Sequence, residues 1–147
     1  MYTCVEFIKT HMEAVIPKFA TKGSAGLDLS SVQDFVLSPH QRAFIDTGLK
    51  IAIEQGYEGQ VRSRSGLAYK HGVVVLNAIG TIDSDYRGKL GVLLINHGVD
   101  SVKINRGDRI AQLVIKPVCQ QIRTKEVKEF SEPNTDRGEG GFGSTGR

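Results

Sequence analysis

Hydrophobic and polar residues alternate with a period of two along most of this chain, as they do in half-buried β-strands. Gly, Pro and Asn separate the alternating runs and favour turns between them. The pattern predicts strands at residues 4–9, 25–29, 35–37, 42–46, 49–53, 59–64, 73–76, 90–95, 102–104, 109–115 and 121–130. One short helix is predicted at Ser65–Lys70, with Ser65 as its N-cap and Gly72 as its stop. The chain is therefore predicted to be all-β, as a sandwich, jelly roll or barrel.

A polar turn is predicted between two of the most apolar strands. The runs at 73–76 and 90–95 are aliphatic almost throughout, so we expect both to be covered on both faces. The turn between them contains Asp83, Asp85 and Tyr86. In an extended chain the two carboxylates would project to one side and the tyrosine to the other, and we interpret this turn as the catalytic segment. Asp, Ser and Gly also form ordinary turns, so the alternative is a purely structural reversal of the chain.

The size and charge of the chain narrow the range of its partners. A chain of 147 residues forms one domain, which is small for a complex active site, so a site shared between subunits has to be considered. The 19 Lys and Arg against 16 Asp and Glu give a net charge of +3, which suits a phosphate-bearing small ligand. The sequence has no basic run, no aromatic-basic segment and no Trp, so we do not expect nucleic acid as a partner.

Neither a membrane nor a zinc ion is an expected partner. Glu6 and Glu13 interrupt any N-terminal signal sequence, and no apolar run approaches the ~20 residues of a membrane span. The four histidines lack the spacing of metal ligands. Cys4 and Cys119 lie far apart, as free thiols of a reducing compartment do. We therefore expect a soluble cytoplasmic protein.

Three further segments carry polar groups suited to phosphate. Arg62 and Arg64 alternate on a predicted strand and lead into the start of the helix, so planar donors meet a helix N-terminus. A solvated strand edge is the alternative for this pair. Gln112 lies in an apolar strand, where its amide needs a structural partner, a ligand or water. Asp28 also lies in a strand, where an aspartate is more often a hydrogen-bonded turn residue than a catalyst.

The composition of the chain changes at Ser131. Residues 131–147 are rich in Gly and contain one large apolar residue, Phe142, so we divide the chain into a β domain at 1–130 and a flexible arm at 131–147. Arg137, Phe142, Ser144 and Thr145 suit closure over an anionic, aromatic ligand, and the glycines let backbone N–H groups approach phosphate. The alternative is a disordered terminus.

Five segments of the chain, in this order, closely resemble the five motifs of the trimeric deoxyuridine triphosphatases (dUTPases). They are Ser-Ala-Gly-Leu-Asp28-Leu, Arg64-Ser-Gly-Leu-Ala, Asn77 through Asp83-Ser-Asp-Tyr86-Arg-Gly, Gly107-Asp-Arg-Ile-Ala-Gln112-Leu, and Arg137-Gly-Glu-Gly-Gly-Phe142-Gly-Ser-Thr-Gly. The resemblance extends from about residue 23 to the C-terminus, and the third and fifth motifs are the most specific. It implies a homotrimer of jelly-roll-like (β-clip) sandwiches with one short helix, whose three active sites are each assembled from three subunits.

The implied activity is the hydrolysis of dUTP, with Mg2+, to dUMP and pyrophosphate, which keeps uracil out of DNA and supplies dUMP for thymidylate synthesis. Because release of pyrophosphate leaves a monophosphate, we predict that water attacks the α-phosphorus. A carboxylate beside a water is a sufficient base when a metal and hydrogen-bond donors stabilise the developing charge. A hairpin backbone can read the polar edge of uracil, while a close wall rejects the thymine methyl.

The resemblance also implies roles for individual residues. Asp83 matches the aspartate that activates the attacking water, and Tyr86 matches the tyrosine that packs on the deoxyribose and leaves no room for a 2′-hydroxyl. The residues that recognise uracil in the family correspond to Asn77, Gly80, Thr81, Ile82 and the backbone of Asp83, with Gly91 nearby on the return strand. The residues that bind phosphate in the family correspond to Arg64, Ser65 and Gly66, which a neighbouring subunit contributes, and to Gln112. Asp28 matches a residue near the metal's water shell, and Arg137, Phe142 and Gly143 match the closing arm.

Three departures from the family pattern bear on local rigidity and leave the chemistry intact. Leu27 stands where an aromatic is frequent, and Ser63 and Ile79 stand where proline is frequent. Two alternatives to a dUTPase remain at this point. A dCTP deaminase relative shares the fold, but the sequence shows no Glu beside a Ser-Arg pair suited to proton transfer at cytosine. A non-catalytic nucleotide sensor would keep the pocket, and the presence of Asp83 argues against it.

Overall fold

The structure, a computed structural model, describes residues 5–141. Within that range ten strands and one helix form in the order β1 (Val5–Lys9), β2 (Leu27–Ser30), β3 (Phe35–Leu37), β4 (Arg42–Ile53), β5 (Tyr57–Arg62), α1 (Ser65–His71), β6 (Val73–Val75), β7 (Gly80–Ile82), β8 (Lys89–Asn96), β9 (Val102–Ile104) and β10 (Arg109–Pro117). Cys4 of the first predicted strand, and Phe142, Gly143, Ser144 and Thr145 of the predicted arm, lie outside the described residues. No helix within 5–141 is long and apolar enough to cross a membrane.

Two four-stranded antiparallel sheets enclose one hydrophobic core. Their strand orders are β1-β4-β8-β6 and β2-β10-β5-β7, and β3 and β9 form a separate pair. The inward side chains of both large sheets belong to the same buried cluster, with Ile51 and Leu94 from one sheet and Leu29 and Leu113 from the other. The prediction of an all-β, jelly-roll-like sandwich with one short helix is confirmed.

Two predicted strands, 42–46 and 49–53, are one strand in the structure. The pairing of β4 with β8 shifts between Asp46 and Leu49, which marks a β-bulge at Thr47 and Gly48. Gly48 has a φ of +66° and donates its N–H to Oδ1 of Asp46 at 2.7 Å, while the Thr47 hydroxyl donates to the carbonyl of Leu90. These hydrogen bonds replace the missing ladder bonds, so the strand continues through residues whose types also favour a turn.

The strand predicted at residues 121–130 is absent from the structure, and that prediction was wrong. Every residue from 121 to 130 is exposed and outside regular structure. A strand needs a partner edge, and both edges of β10, the preceding strand, are already paired with β2 and β5. Residues 121–130 therefore cannot pair with β10, and they pair with no other sheet edge within residues 5–141.

The helix ends as predicted but begins differently. Gly72 adopts a left-handed conformation with φ of +68°, and its N–H caps the carbonyls of Leu67 and Ala68. Arg64, not Ser65, occupies the N-cap position, and no side chain caps the first turn. The prediction of Ser65 as the cap was wrong because the extended conformation of the preceding chain ends at Arg64, so Ser65 is already helical.

Residues 73–96 are divided between the two sheets. Strands β6 and β8 pair with each other in one sheet, with Val73 opposite Asn96, whereas β7 pairs with β5 in the other, with Gly59 opposite Ile82. The segment is therefore a double crossover, not the strand-turn-strand ribbon that its sequence predicts. The prediction that the strands at 73–76 and 90–95 are buried on both faces was also wrong, because Leu76 and Leu93 are exposed.

Asn96 ties the end of β8 to β3 and to the loop that follows β8. Its side chain is fully buried, its Nδ2 donates to the carbonyls of Leu37 and Asp100 at 3.0 and 2.8 Å, and its Oδ1 accepts from the Gly98 N–H at 2.8 Å. We predict that Asn96→Ala lowers the free energy of unfolding by about 2–3 kcal/mol, because it leaves buried backbone groups without partners. Urea unfolding at fixed protein concentration measures this change.

The control for Asn96→Ala is Asn134→Ala. Asn134 is exposed and has no side-chain hydrogen bond within residues 5–141. Its substitution should change the free energy of unfolding by less than about 0.5 kcal/mol. Equal effects of the two substitutions would contradict the structural role of Asn96.

Candidate active site

A cavity of about 230 Å3, open to solvent, lies beside the double crossover and is lined by residues of both sheets. Seven residues that the sequence singles out line it: Asn77, Gly80, Thr81, Ile82, Asp83, Tyr86 and Gly91. The remaining lining residues are Phe44, Val61, Lys89, Leu90 and Leu93. Most small-molecule sites have volumes of ~300–1,000 Å3, so a larger ligand has to extend beyond this cavity.

One wall of the cavity consists of backbone and a single amide side chain. Gly80 is buried, and a Cβ placed on it would lie 3.1 Å from Nδ2 of Asn77 and 3.2 Å from Cβ of Val61. The glycine thus lets the Asn77 amide pack closely on the strand. That amide has no hydrogen-bond partner within residues 5–141, so its donor and acceptor are available to a ligand. Between the two residues, Ala78 has a φ of +60°, which is unusual for a residue with a side chain.

Tyr86 lies at the rim of the cavity, held by the turn that precedes β8. The N–H of Tyr86 donates to the carbonyl of Asp83 at 3.1 Å, and its hydroxyl donates to the carbonyl of Lys89 at 2.8 Å. A Cβ on Gly88 would overlap the phenol ring, so only glycine leaves room for this arrangement. The chain is thus bent at this point instead of extended. Asp83 shares the adjoining cleft with Asp85, as the predicted alternation implies, but it also shares the cavity with Tyr86, which the alternation places on the other side.

The carboxylate of Asp83 is exposed and unpaired. It has no hydrogen bond or ion pair within residues 5–141, and it lines both the cavity and the adjoining cleft. A carboxylate without protein partners can accept a hydrogen bond from a water molecule and remove its proton.

A second group of polar residues surrounds Asp28. Its Oδ2 accepts from Nη1 of Arg109 at 3.1 Å, and its Oδ1 lies 3.6 Å from Nε of Arg64. Arg64 also donates from Nη1 to the carbonyl of Arg109 at 2.8 Å. Two guanidinium groups thus share one carboxylate, which leaves an excess positive charge. Ser65 and Gly66 are exposed in the adjacent uncapped first turn of α1.

Gln112 lies beside the Asp28 group and is held by protein atoms. Its Nε2 donates to the carbonyl of Ser63 at 3.0 Å, and a Cβ on Gly26 would lie 2.5 Å from its Oε1. In the sheet it pairs with Asp28 on one side and Arg62 on the other. The amide therefore has a structural partner, one of the possibilities that the sequence leaves open.

The structure does not bring all the predicted residues together in one protomer. No residue of the Asp28 group lines the cavity. Arg62 donates from Nε to Oε1 of Gln60 at 3.1 Å, not to a site shared with Arg64. Arg137 donates to the carbonyl of Gly140 at 2.8 Å, which keeps it within its own segment, and Phe142 and Gly143 lie outside the described residues.

Two residues near these groups escaped the sequence analysis. Arg109 was not distinguished from the other residues of its motif, although it binds Asp28. Phe44 lies on the outer face of β4 and lines the cavity together with residues of β7. Alternation places Phe44 on the same strand face as Arg42 and Asp46. An aromatic residue on an otherwise polar strand face is unusual, and this signal would have identified Phe44 as a candidate binding residue.

A metal ion held by the protein alone does not fit the described residues. Within residues 5–141 no group of three or more His, Cys, Asp or Glu side chains is placed to bind a metal. Mg2+ commonly keeps several waters and binds one or two carboxylates together with the phosphates of a ligand. Asp28, with its oxygens already engaged by two arginines, fits a position beside the water shell of a Mg2+ ion that a phosphate ligand carries.

Comparisons with known proteins agree on one family. The dUTPase family model matches residues 12–146. A deoxyuridine 5'-triphosphate nucleotidohydrolase of Nautilia profundicola is 55% identical over 139 residues, which are 95% of this chain and 96% of the relative. A corresponding protein of Anaeromyxobacter is 53% identical over 132 residues, 90% of this chain and 88% of the relative.

Solved structures show the same likeness. The Staphylococcus bacteriophage 80alpha dUTPase with dUPNHPP has a TM-score of 0.89 at 32% identity, covering 98% of this chain and 99% of the phage chain. A mutant dUTPase from phage phi11 of S. aureus, described as coordinating a structural Mg(II) ion, has a TM-score of 0.80 at 29% identity. That likeness covers 87% of this chain and 99% of the phage chain.

Proposed function

The chain belongs to the dUTPase family and hydrolyses dUTP, and we propose that Asp83 is the base that activates the attacking water. The observation that carries this proposal is the contrast between two aspartates. Asp28 is engaged by two arginines, whereas Asp83 is unpaired at the rim of the cavity beside Tyr86. Only the unpaired carboxylate is free to take a proton from water without first losing an ion pair.

Uracil is read by the wall of the cavity that Asn77 and β7 form. Strand β7 is the edge of its sheet, so backbone N–H and C=O groups of Gly80, Thr81 and Ile82 that do not pair with β5 remain available. The Asn77 amide adds an unpaired donor and acceptor. These groups match the alternating acceptors and donor along the O2, N3 and O4 edge of uracil. Tyr86 then packs against the deoxyribose, where its ring excludes a 2′-hydroxyl.

The triphosphate extends beyond the cavity and meets a neighbouring subunit. Arg64, Ser65, Gly66 and Gln112 supply the donors for it, and none of them lines the cavity of its own chain. The functional unit is therefore a homotrimer with shared sites. Residues 131–147 form the arm that closes the site, with Arg137 on phosphate, Phe142 over uracil and Gly143 beside it.

A bound Mg2+ ion would offset the charge of the triphosphate and help to orient it, and Asp28 would interact with it through water. Asp83 accepts a proton from water as the water oxygen forms a bond to the α-phosphorus. The bond from that phosphorus to the bridging oxygen breaks, which releases pyrophosphate and leaves dUMP. The reaction keeps uracil out of DNA and supplies dUMP for thymidylate synthesis. A cytoplasmic location remains a prediction from the sequence.

The role of Asp83 can be tested with a matched pair of variants. We predict that Asp83→Asn lowers kcat for pyrophosphate release from dUTP by about 1,000-fold, the scale of a lost general base, and changes the affinity for a non-hydrolysable dUTP analogue little. Asp85→Asn is the control, because Asp85 is also exposed and unpaired within residues 5–141 but does not line the cavity. It should retain nearly normal turnover. Normal turnover of Asp83→Asn would refute the assignment.

The site of attack can be tested by hydrolysis in 18O-labelled water. Because water attacks the α-phosphorus, one labelled oxygen should appear in dUMP and none in pyrophosphate. Mass spectrometry of both products after a single turnover measures this. Label found only in pyrophosphate would show attack at the β-phosphorus.

The sharing of sites between subunits can be tested by mixing Asp83→Asn and Arg64→Ala chains. Each variant alone should be nearly inactive. In randomly mixed trimers, one half of the sites receives an intact Asp83 and one half of these receives an intact Arg64 from the neighbour, so about one quarter of the sites should recover. Co-expression with two affinity tags, followed by a pyrophosphate assay, measures the recovery. Mixed trimers without recovered activity would place both residues in the same subunit's site.

A further inference from the structure

We propose that Phe44 is a specificity-determining residue, whose ring forms the wall that limits the size of the base in the cavity. The inference rests on the proposed function of the cavity and deepens it. Phe44 lies on the outer face of β4, lines the cavity together with residues of β7 from the other sheet, and belongs to none of the five sequence motifs of the family.

The position of the Phe44 ring is set by its contact with Gly91. In the β4–β8 pairing Phe44 stands opposite Leu93, and Gly91 is two residues before Leu93. A Cβ placed on Gly91 would overlap the tip of the Phe44 ring. The ring therefore covers the backbone of Gly91, and it can do so only because that residue has no side chain. Phe44 remains 52% exposed, so the core does not hold it and the Gly91 contact fixes one end of the ring.

The orientation of uracil in the cavity determines which edge of the base the Phe44 ring would contact. If the O2, N3 and O4 edge pairs with the Asn77 amide and the β7 backbone, the opposite edge, with C5 and C6, is directed away from them. The lining residues on the other sheet include Phe44, Gly91 and Leu93, which present apolar surface. The Phe44 ring leaves room for the hydrogen at C5 of uracil, whereas the methyl group at C5 of thymine would collide with the ring. Rejection of one methyl group by an apolar wall gives a discrimination of about 10- to 200-fold.

The contact with Gly91 also means that a substitution at position 91 can move the Phe44 ring. A side chain at position 91 cannot share the space with the ring, and because the ring is half exposed it can turn outward. Gly91→Ala should therefore displace the Phe44 ring and have the same effect on base selection as its removal. Because both substitutions remove the same contact, their effects on base selection should not be additive.

The experiment compares wild type with Phe44→Ala, Gly91→Ala and the double variant. kcat and KM are measured for dUTP and dTTP, together with the affinity for a non-hydrolysable dUTP analogue and the mass of the assembly by light scattering. We expect Phe44→Ala to raise KM for dUTP with little change in kcat. Its ratio of kcat/KM for dTTP to that for dUTP should rise by about 10- to 100-fold. Gly91→Ala should show a similar shift, and the double variant should be no worse than either single variant.

Phe19→Ala is the matched control. Phe19 is 57% exposed, close to the exposure of Phe44, and does not line the cavity, so its removal should leave base selection unchanged. If Phe44→Ala fails to fold or assemble, Phe44→Leu keeps an apolar side chain with a smaller wall and should show a smaller shift in the same direction. An assembled Phe44→Ala or Phe44→Leu with the wild-type ratio would overturn the inference. Failure of the wild type to hydrolyse dUTP would instead overturn the proposed function.

Discussion

The division of residues 73–96 between two sheets is the constraint on which the site depends. Strands β6 and β8 are held in one sheet by their mutual pairing, and β7 is held in the other by β5. Val73 of β6, Ile82 of β7 and Leu94 of β8 are buried in the common core, so none of the three strands can move without disturbing it. The loop between β6 and β7 has to cross from one sheet to the other, and this crossing brings Asn77 and Gly80 opposite Gly91. Secondary structure thus fixes the walls of the cavity, and few flexible side chains take part.

The charged groups around Asp28 and the carboxylate of Asp83 have opposite electrostatic environments. Around Asp28, two guanidinium groups meet one carboxylate, and the excess charge suits a polyanion. Partly exposed ion pairs contribute little more than about 1 kcal/mol to stability, and we propose that this pairing preorganises the arginines for a ligand. At the cavity rim the opposite holds, because Asp83 has no partner within residues 5–141. An aspartate that formed an ion pair there would bind the water less well and would lose stability on accepting its proton.

Local sequence patterns predicted the elements that depend on local forces. Strands at 35–37 and 102–104, and the helix stop at Gly72, appear as predicted, because alternation and a left-handed glycine act within a few residues. Elements that depend on a distant partner were predicted less well. Continuity of β4 through Gly48 needs the carbonyl of Leu90, and residues 121–130 pair with no strand within the described chain. The crossover of β7 depends on β5, which no pattern within 73–96 reveals.

The site shows the same division. Residue types and the family resemblance identified Asp83, Tyr86, Asn77 and Gly91, which share the cavity. Neither revealed that Arg109 holds Asp28 or that Phe44 covers Gly91, because both facts depend on strand register. The most direct measurement is the initial rate of pyrophosphate release by the wild-type protein from dUTP, dTTP, dCTP and UTP, with and without Mg2+. A backbone wall that reads uracil and a tyrosine that excludes the 2′-hydroxyl predict rapid Mg2+-dependent release from dUTP alone. Comparable rates with dTTP or UTP would contradict this cavity as the seat of recognition.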